Sequence, residues 1–455
     1  MKLNKILVSM GLSVLSVGAF AELDKTELPT QTLIVNVHVW DGTSDGVTKK
    51  INVLVEDNLI KKIEADKSDA HADATIIDGE GKVLMPGLID AHTHLAAPEQ
   101  LDRLKDDVDW MYWGISTAQV TEDWLMRGYT TVRDAGGPAS SIHKAVEDGR
   151  VIGPRIYSSG QVISQTSGHG DHRSFNTPHP NFQGNTPAKI QTTEGFELIC
   201  DGKDEVLRCV REVLRGGATQ VKVMAGGGTS SSYGPLYSKQ YLPEELEAAV
   251  RAADDYEAYV MVHAYHDESI IRSLDAGVRS IEHGTLMTEK GMDAIMEKDA
   301  WISPYFTMLS LPWEVIVAYV GPENAQKSKQ VIDGAKNQIR ILKESGYDKI
   351  AFGADVIGPL EVQQKANNEF AVRAEYWEPV EVLKQATYNN GRMLKEETGL
   401  RNPYQDGDLG VIKEGAYADM IIVDGNPLKD ISLLTKPKES LDLIMKDGVI
   451  YKNTL

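Results

Sequence analysis

Cysteine is nearly absent from this chain: Cys200 and Cys209 are the only two among 455 residues. Two thiols cannot build a structural zinc site alone, so any metal must rest mainly on histidine and carboxylate ligands. Their close spacing leaves two states open, a local disulfide in an oxidising compartment or a pair of buried thiols. Positive charge is also scarce. Lys and Arg number 47 against 67 Asp and Glu, a net charge of −20, which excludes the basic surface that nucleic acid or an anionic membrane requires. No Gly-x-Gly-x-x-Gly opens a helix, which argues against a doubly wound dinucleotide-binding sheet. Internal repeats and low-complexity tracts are missing too. The one long uncharged apolar run, residues 6–20, is too short for a comfortable membrane span, and Glu22-Leu23-Asp24-Lys25 follows it closely.

That run has a different reading. Lys2 and Lys5 precede it and Ala19-Phe20-Ala21 ends it, which predicts a signal peptide over residues 1–21 cleaved after Ala21. The expected product is a periplasmic or secreted protein. No Cys follows the cleavage point, so no lipid anchor is expected there, and no stable membrane association follows cleavage. Loss of the two lysines leaves the chain still more acidic.

The remaining composition is ordinary, with 42% hydrophobic and 25% charged residues. The length suits one large domain and a small one. Short apolar segments at 87–94, 130–136, 155–164, 221–227, 259–266, 280–284, 301–307 and 350–356 read as strands. Helical patterns lie between them, among them 204–215, 243–258, 269–275 and 289–298. Eight strand–helix units predict an α/β fold, a (β/α)8 TIM barrel over residues 87–400. Strand patterns at 32–39 and 51–56 near the start, and 419–424 and 443–451 near the end, lie outside it. Residues 22–86 and 401–455 are expected to pair as one small β-sandwich, since neither could bury a core alone.

Chemistry-bearing residues recur at the ends of the predicted strands, where barrels place their active sites. His92 and His94 are i and i+2 on the first strand and point to one side, so both imidazoles can reach one metal. His-x-His alone is weak. Lys222, His263, His283 and Asp355 occupy corresponding places on four later strands, and the combination predicts a metal centre. A lysine inside a buried parallel strand is costly unless paired or neutralised. Its neutral amine can add CO2, giving a carbamate with two oxygens for two metal ions; an ion pair with an aspartate is the alternative.

The sequence resembles the amidohydrolase superfamily, and the resemblance covers nearly all of the expected mature chain. Its carriers are Pro86-Gly87-Leu88-Ile89-Asp90-Ala91-His92-Thr93-His94, Thr130-Thr131-Val132-Arg133-Asp134, Lys222-Val223-Met224, His263-Ala264-Tyr265, Glu282-His283-Gly284, Gly353-Ala354-Asp355 and the tail at 410–428. Thr166-Ser167-Gly168-His169-Gly170-Asp171 is further similar to the branch holding Xaa-Pro dipeptidases and ochratoxinase-like enzymes. The resemblance implies two divalent ions, usually zinc, and Lys222 carboxylated by CO2. His92, His94 and Asp355 would hold one ion and His263 and His283 the other, with Lys222 and a hydroxide bridging them. It also implies attack of that hydroxide on an amide of a dipeptide or N-acyl amino acid. Asp355 would shuttle the proton, His169 would donate to the oxyanion, and Tyr265 would hold the substrate carboxylate. The expected partner is thus a small molecule or dipeptide, with a homo-oligomer open. The pattern departs from the family in Val356, in the loop after it, which lacks a histidine often found there, and in the additional His172 and His266. A cyclic amidase or an imidazolonepropionase-like hydrolase or deaminase is the competing activity, and a non-catalytic binding protein the remote one. Lys222 counts against a deaminase, and the full set of six ligands against a binding protein.

Overall fold

A computed structural model describes residues 29–65, 70–99, 109–173, 175, 176, 178, 179, 195–231, 233–322 and 324–455. The predicted signal peptide lies outside the described residues. Among them no helix is long and apolar enough to cross a membrane.

The barrel forms from parallel strands whose side chains are buried on both faces, which is why they read as nearly unbroken apolar runs. Leu88–Thr93, Tyr129–Asp134 and Arg155–Ser158 pair in that order. Gln220–Met224, Tyr259–Ala264, Ser280–His283 and Trp301–Ser303 continue it. Thr219 N donates to Ser158 O at 2.8 Å and links the two groups. The predicted third strand is broken into Arg155–Ser158 and Val162–Ser164. The break falls beside Gly160, whose φ of +63° suits glycine.

The eighth strand differs from expectation. Residues 350–356 carry only an isolated bridge, Ile302 with Ile350. Closure instead uses single backbone bonds, Ala91 N to Phe352 O at 2.8 Å and Asp355 N to His92 O at 3.0 Å. Two buried side chains reinforce it. Asn390 donates to Ile89 O and Phe352 O and accepts from Phe352 N. Asp90 accepts from His92 N and Ala354 N. Outside the ring, apolar helix faces such as Val206, Val210 and Val213 pack on strand residues such as Val221 and Val223 in one core.

Both chain ends build the second unit, as the strand patterns predicted. Gln31–Val39 pairs with Ile51–Glu56 on one edge and Thr75–Asp78 on the other, and His38 and Val39 pair with Val83 and Leu84 in the adjoining sheet. The strand changes sheets at an irregularity between Ile34 and Val37, where Asn36 takes φ +59°. Val83–Pro86 then pairs antiparallel with Met420–Val423, followed by Leu441–Lys446 and Val449–Asn453. The predicted 443–451 segment is therefore a hairpin turning at Asp447-Gly448. Ile34, Val53 and Leu84 from one end and Ile422, Leu443 and Met445 from the other share one core. Cys200 and Cys209 are disulfide-bonded, Cα to Cα 6.7 Å, at the entrance to helix Gly202–Arg215.

Candidate active site

His92 and His94 emerge on one side of their strand, as period two requires. Their Nε2 atoms lie 3.5 and 3.4 Å from Asp355 Oδ1, and the three residues form a cluster able to hold a cation. Lys222 Nζ is 3.4 Å from His92 Nε2. The rings of His92 and His283 are 4.9 Å apart, and those of His263 and His283 4.5 Å. His169 stacks on His263 at 4.1 Å, and Tyr265 lies 4.6 Å from the same ring. All eight residues singled out in the sequence line one cavity of about 430 Å³. Of the two unassigned histidines, His172 lines the same cavity, its Nδ1 2.6 Å from Glu197. His266 lies at the start of helix Asp267–Asp275.

Strand alternation alone would send Glu282 and His283 to opposite sides. Both nevertheless approach His92: Glu282 Oε2 accepts from His92 Nδ1 at 2.6 Å, and the His283 ring is its neighbour. The reason is local. His283 has φ +73° and Asp355 φ +50°, left-handed conformations costing about 1–2 kcal/mol each for residues with a Cβ. Such strain is tolerated where the surroundings fix it, often at functional sites.

The network beneath the histidines was not anticipated. Arg133 is fully buried and donates to both Glu282 oxygens at 2.8 and 2.9 Å, to Ala91 O, to Tyr259 and to Ser280. Glu282 in turn orients His92 so that Nε2 faces Asp355 and Lys222, the arrangement by which an outer carboxylate fixes a ligand's tautomer. His263 is fixed similarly, Nε2 donating to Gly227 O at 3.0 Å, which leaves Nδ1 as its acceptor atom. Asp134 accepts from Leu95 N and Gly136 N and ties the loop after His94 to the second strand. The only sequence signals were adjacency, Glu282 beside His283 and Arg133-Asp134 at a strand end.

Burial and the nearby Lys222 ammonium push the His92 and His263 pKa values down, His263 to about 3. Burial together with the neighbouring His263 and His92 rings lowers His283 likewise. Neutral imidazole is the form that binds a metal. Burial also lowers Lys222, to about 8, despite the Glu282 and Asp355 carboxylates. The donor set, four imidazoles, a carboxylate and a desolvated amine converging on one cavity, fits a divalent metal centre.

An amidohydrolase family model matches residues 83–451. The chain belongs to this family. Amidohydrolases are metal-dependent, and this one is a hydrolase acting on amide bonds. Ochratoxinase from Aspergillus niger is 30% identical over 417 residues, covering 88% of this amidohydrolase and 82% of that protein. A prolidase solved with N-methylphosphonate-L-proline is 32% identical with a TM-score of 0.83, covering 93% of this chain and 100% of that one. A Xaa-Pro dipeptidase solved with methionine in its active site is 29% identical, TM-score 0.78, with the same coverage. These whole-length likenesses carry the barrel and the two-ended β-domain of the amidohydrolase together.

Proposed function

We propose that this amidohydrolase is an exported binuclear enzyme cleaving the C-terminal amide of dipeptides or N-acyl amino acids. The observation that carries the reading is the convergence of His92, His94, Lys222, His263, His283 and Asp355 on one cavity. His92, His94 and Asp355 would hold one ion, His263 and His283 the second, with Lys222 between them as a carbamate. Two zinc ions held there would make a hydroxide available near neutral pH and polarise the scissile carbonyl. The lowered Lys222 pKa supports the carbamate, because the neutral amine is the form that adds CO2.

The chain's own residues supply the rest. Asp355 reaches His92, His94 and His283 within 3.6 Å and is placed to take a proton and return it to the leaving amine. His169, stacked over His263, lies on the cavity wall where it can donate to a developing oxyanion. Tyr265, with its hydroxyl 3.3 Å from that of Tyr305, can hold the substrate's carboxylate. Phe196, Met224, Met308, Leu311 and Ile316 give the cavity an apolar wall that suits a nonpolar side chain or acyl group. The names of the relatives, a prolidase, a Xaa-Pro dipeptidase and an ochratoxinase, agree with that substrate class.

The test is a library of dipeptides and N-acyl amino acids assayed with zinc-loaded enzyme, together with metal analysis. The expected result is two metals per chain and release of free amino acid, both lost in Lys222→Ala. Turnover of a lactam or hydantoin with none of the linear amides would overturn the substrate class. A metal-free protein whose Lys222→Ala variant hydrolyses normally would overturn the mechanism. Export is tested by N-terminal sequencing of the mature protein, with Glu22 expected first.

A further inference from the structure

Three consecutive glycines, Gly226-Gly227-Gly228, follow the Lys222 strand, and the metal-ligand reading gives them no role. The surroundings separate them. A Cβ on Gly226 would meet only ordinary contacts at 3.5 Å or more. One on Gly227 would fall 2.0 Å from the carbonyl oxygen of Pro235, so backbone forbids it. Gly228 differs from both. Its Cβ would lie 2.2, 2.5 and 2.6 Å from Cε1, Nδ1 and Nε2 of His169. Its φ lies outside the left-handed range that restricts residues with a Cβ. The three atoms that a Cβ here would meet first all belong to the His169 imidazole.

That imidazole is packed closely against two neighbours. One face stacks on His263 at 4.1 Å with an interplanar angle of 30°, and Gly228 backs the ring. The segment carrying it is pinned, His169 N donating to Gln240 Oε1 at 2.9 Å and Gly170 N to Ser164 Oγ at 3.1 Å. His263 is itself held by Gly227 O. We infer that Gly228 is a positioning residue: its bare Cα forms the slot that holds His169 flat against His263 and facing the substrate. The inference rests on the proposed role of His169 in turnover, and its test separates the two.

Gly228→Ala is compared with His169→Ala and with the double variant. Three quantities are read: kcat, metal per chain, and the rate at which diethyl pyrocarbonate modifies residue 169, followed by peptide mass spectrometry. Gly228→Ala is expected to keep its metal, to lose kcat on the order of 10²-fold, as when one oxyanion donor is lost, and to raise the modification rate severalfold as the ring is driven from its slot. In the His169→Ala background the same substitution is expected to change kcat less than twofold. A Gly228→Ala enzyme with wild-type kcat and wild-type modification would overturn the inference. So would a further tenfold loss in the His169→Ala background. If His169→Ala keeps full turnover, the catalytic role of His169 falls, while the modification rate still decides the slot. Should Gly228→Ala fail to fold, recovery of folding in the double variant supports the inference and continued failure refutes it.

Discussion

Arg133 offers the sharpest quantitative test of how the centre is held. Its guanidinium and the Glu282 carboxylate are both fully buried, and each is satisfied only by the other and by near neighbours. Glu282 accepts from Arg133, from Ser280 Oγ at 2.6 Å and from His92 Nδ1. Arg133→Met fills much of the same volume but removes the counter-charge, leaving an uncompensated buried carboxylate. Breaking a buried pair in this way costs about 3–5 kcal/mol. For a chain of this length the unfolding entropy is on the order of 0.9 kcal/mol/K, so Tm falls by about 3–6 °C. With Glu282 no longer fixed, His92 loses its orientation, and metal affinity is expected to fall about 10–100-fold. Urea unfolding and chelator competition measure the two effects. Arg133→Met combined with Glu282→Leu removes both charges, and its stability loss is expected to be at least about 1 kcal/mol smaller than the sum of the single losses. A loss below about 1 kcal/mol in Arg133→Met, or strict additivity in the double variant, would refute the account.

Other predictions follow from features of the same kind. Reduction of the Cys200–Cys209 bond, with its separation of nine residues, releases a short loop and is expected to cost about 2.6 kcal/mol by loop entropy; equal urea midpoints with and without reductant would contradict this. Asn390→Ala removes three hydrogen bonds at the barrel closure and is expected to cost about 2–3 kcal/mol, read as a lower urea midpoint, with hydrogen exchange rising first at Ala91 and Phe352. In metal-free protein, burial and Lys222 hold His263 neutral down to about pH 3. The unfolded ring binds its proton near 6.5, so between those values the unfolded state carries more protons. Stability is thus complete above pH 6.5 and falls on acidification by up to about 1.4 kcal/mol per pH unit for this ring. A urea midpoint of the metal-free protein that is flat from pH 7 to 4 would exclude it.

Much of this was legible in the sequence because the ligands obey a simple rule. His92, His94, Lys222, His263, His283 and Asp355 each sit in or at the end of an apolar run, and parallel barrel strands advertise such runs. The two-ended β-domain was legible in part, through the strand patterns at 32–39, 51–56, 419–424 and 443–451. Strands Leu59–Glu64, Thr75–Asp78 and Val83–Pro86 were not read. They are short, and in Leu59–Glu64 the exposed Lys61 and Lys62 dilute the apolar pattern. The eighth strand was placed correctly but given a regular ladder it lacks, because Asp90 and Asn390 replace ladder bonds with side-chain ones. Arg133, Glu282 and Gly228 escaped for a shared reason. Their roles depend on partners 149 and 190 positions away or on an empty space, and neither leaves a local pattern. Even the adjacency of Glu282 and His283 misleads unless the left-handed turn at His283 is known.

The β-domain sets the order in which this molecule can be completed. Val83–Pro86 finds its antiparallel partner in Met420–Val423, so one edge of the first-made strands stays unpaired until nearly all of the chain exists. Ribosomal synthesis delivers Gln31–Val39, Ile51–Glu56 and Leu59–Glu64 long before anything can cover that edge. An unsatisfied strand edge invites pairing with another chain, and such distant contacts are slow to form. A truncation removing the last strands should therefore harm more than a small outlying domain. It leaves an adhesive edge beside a barrel whose first strand begins two residues beyond it.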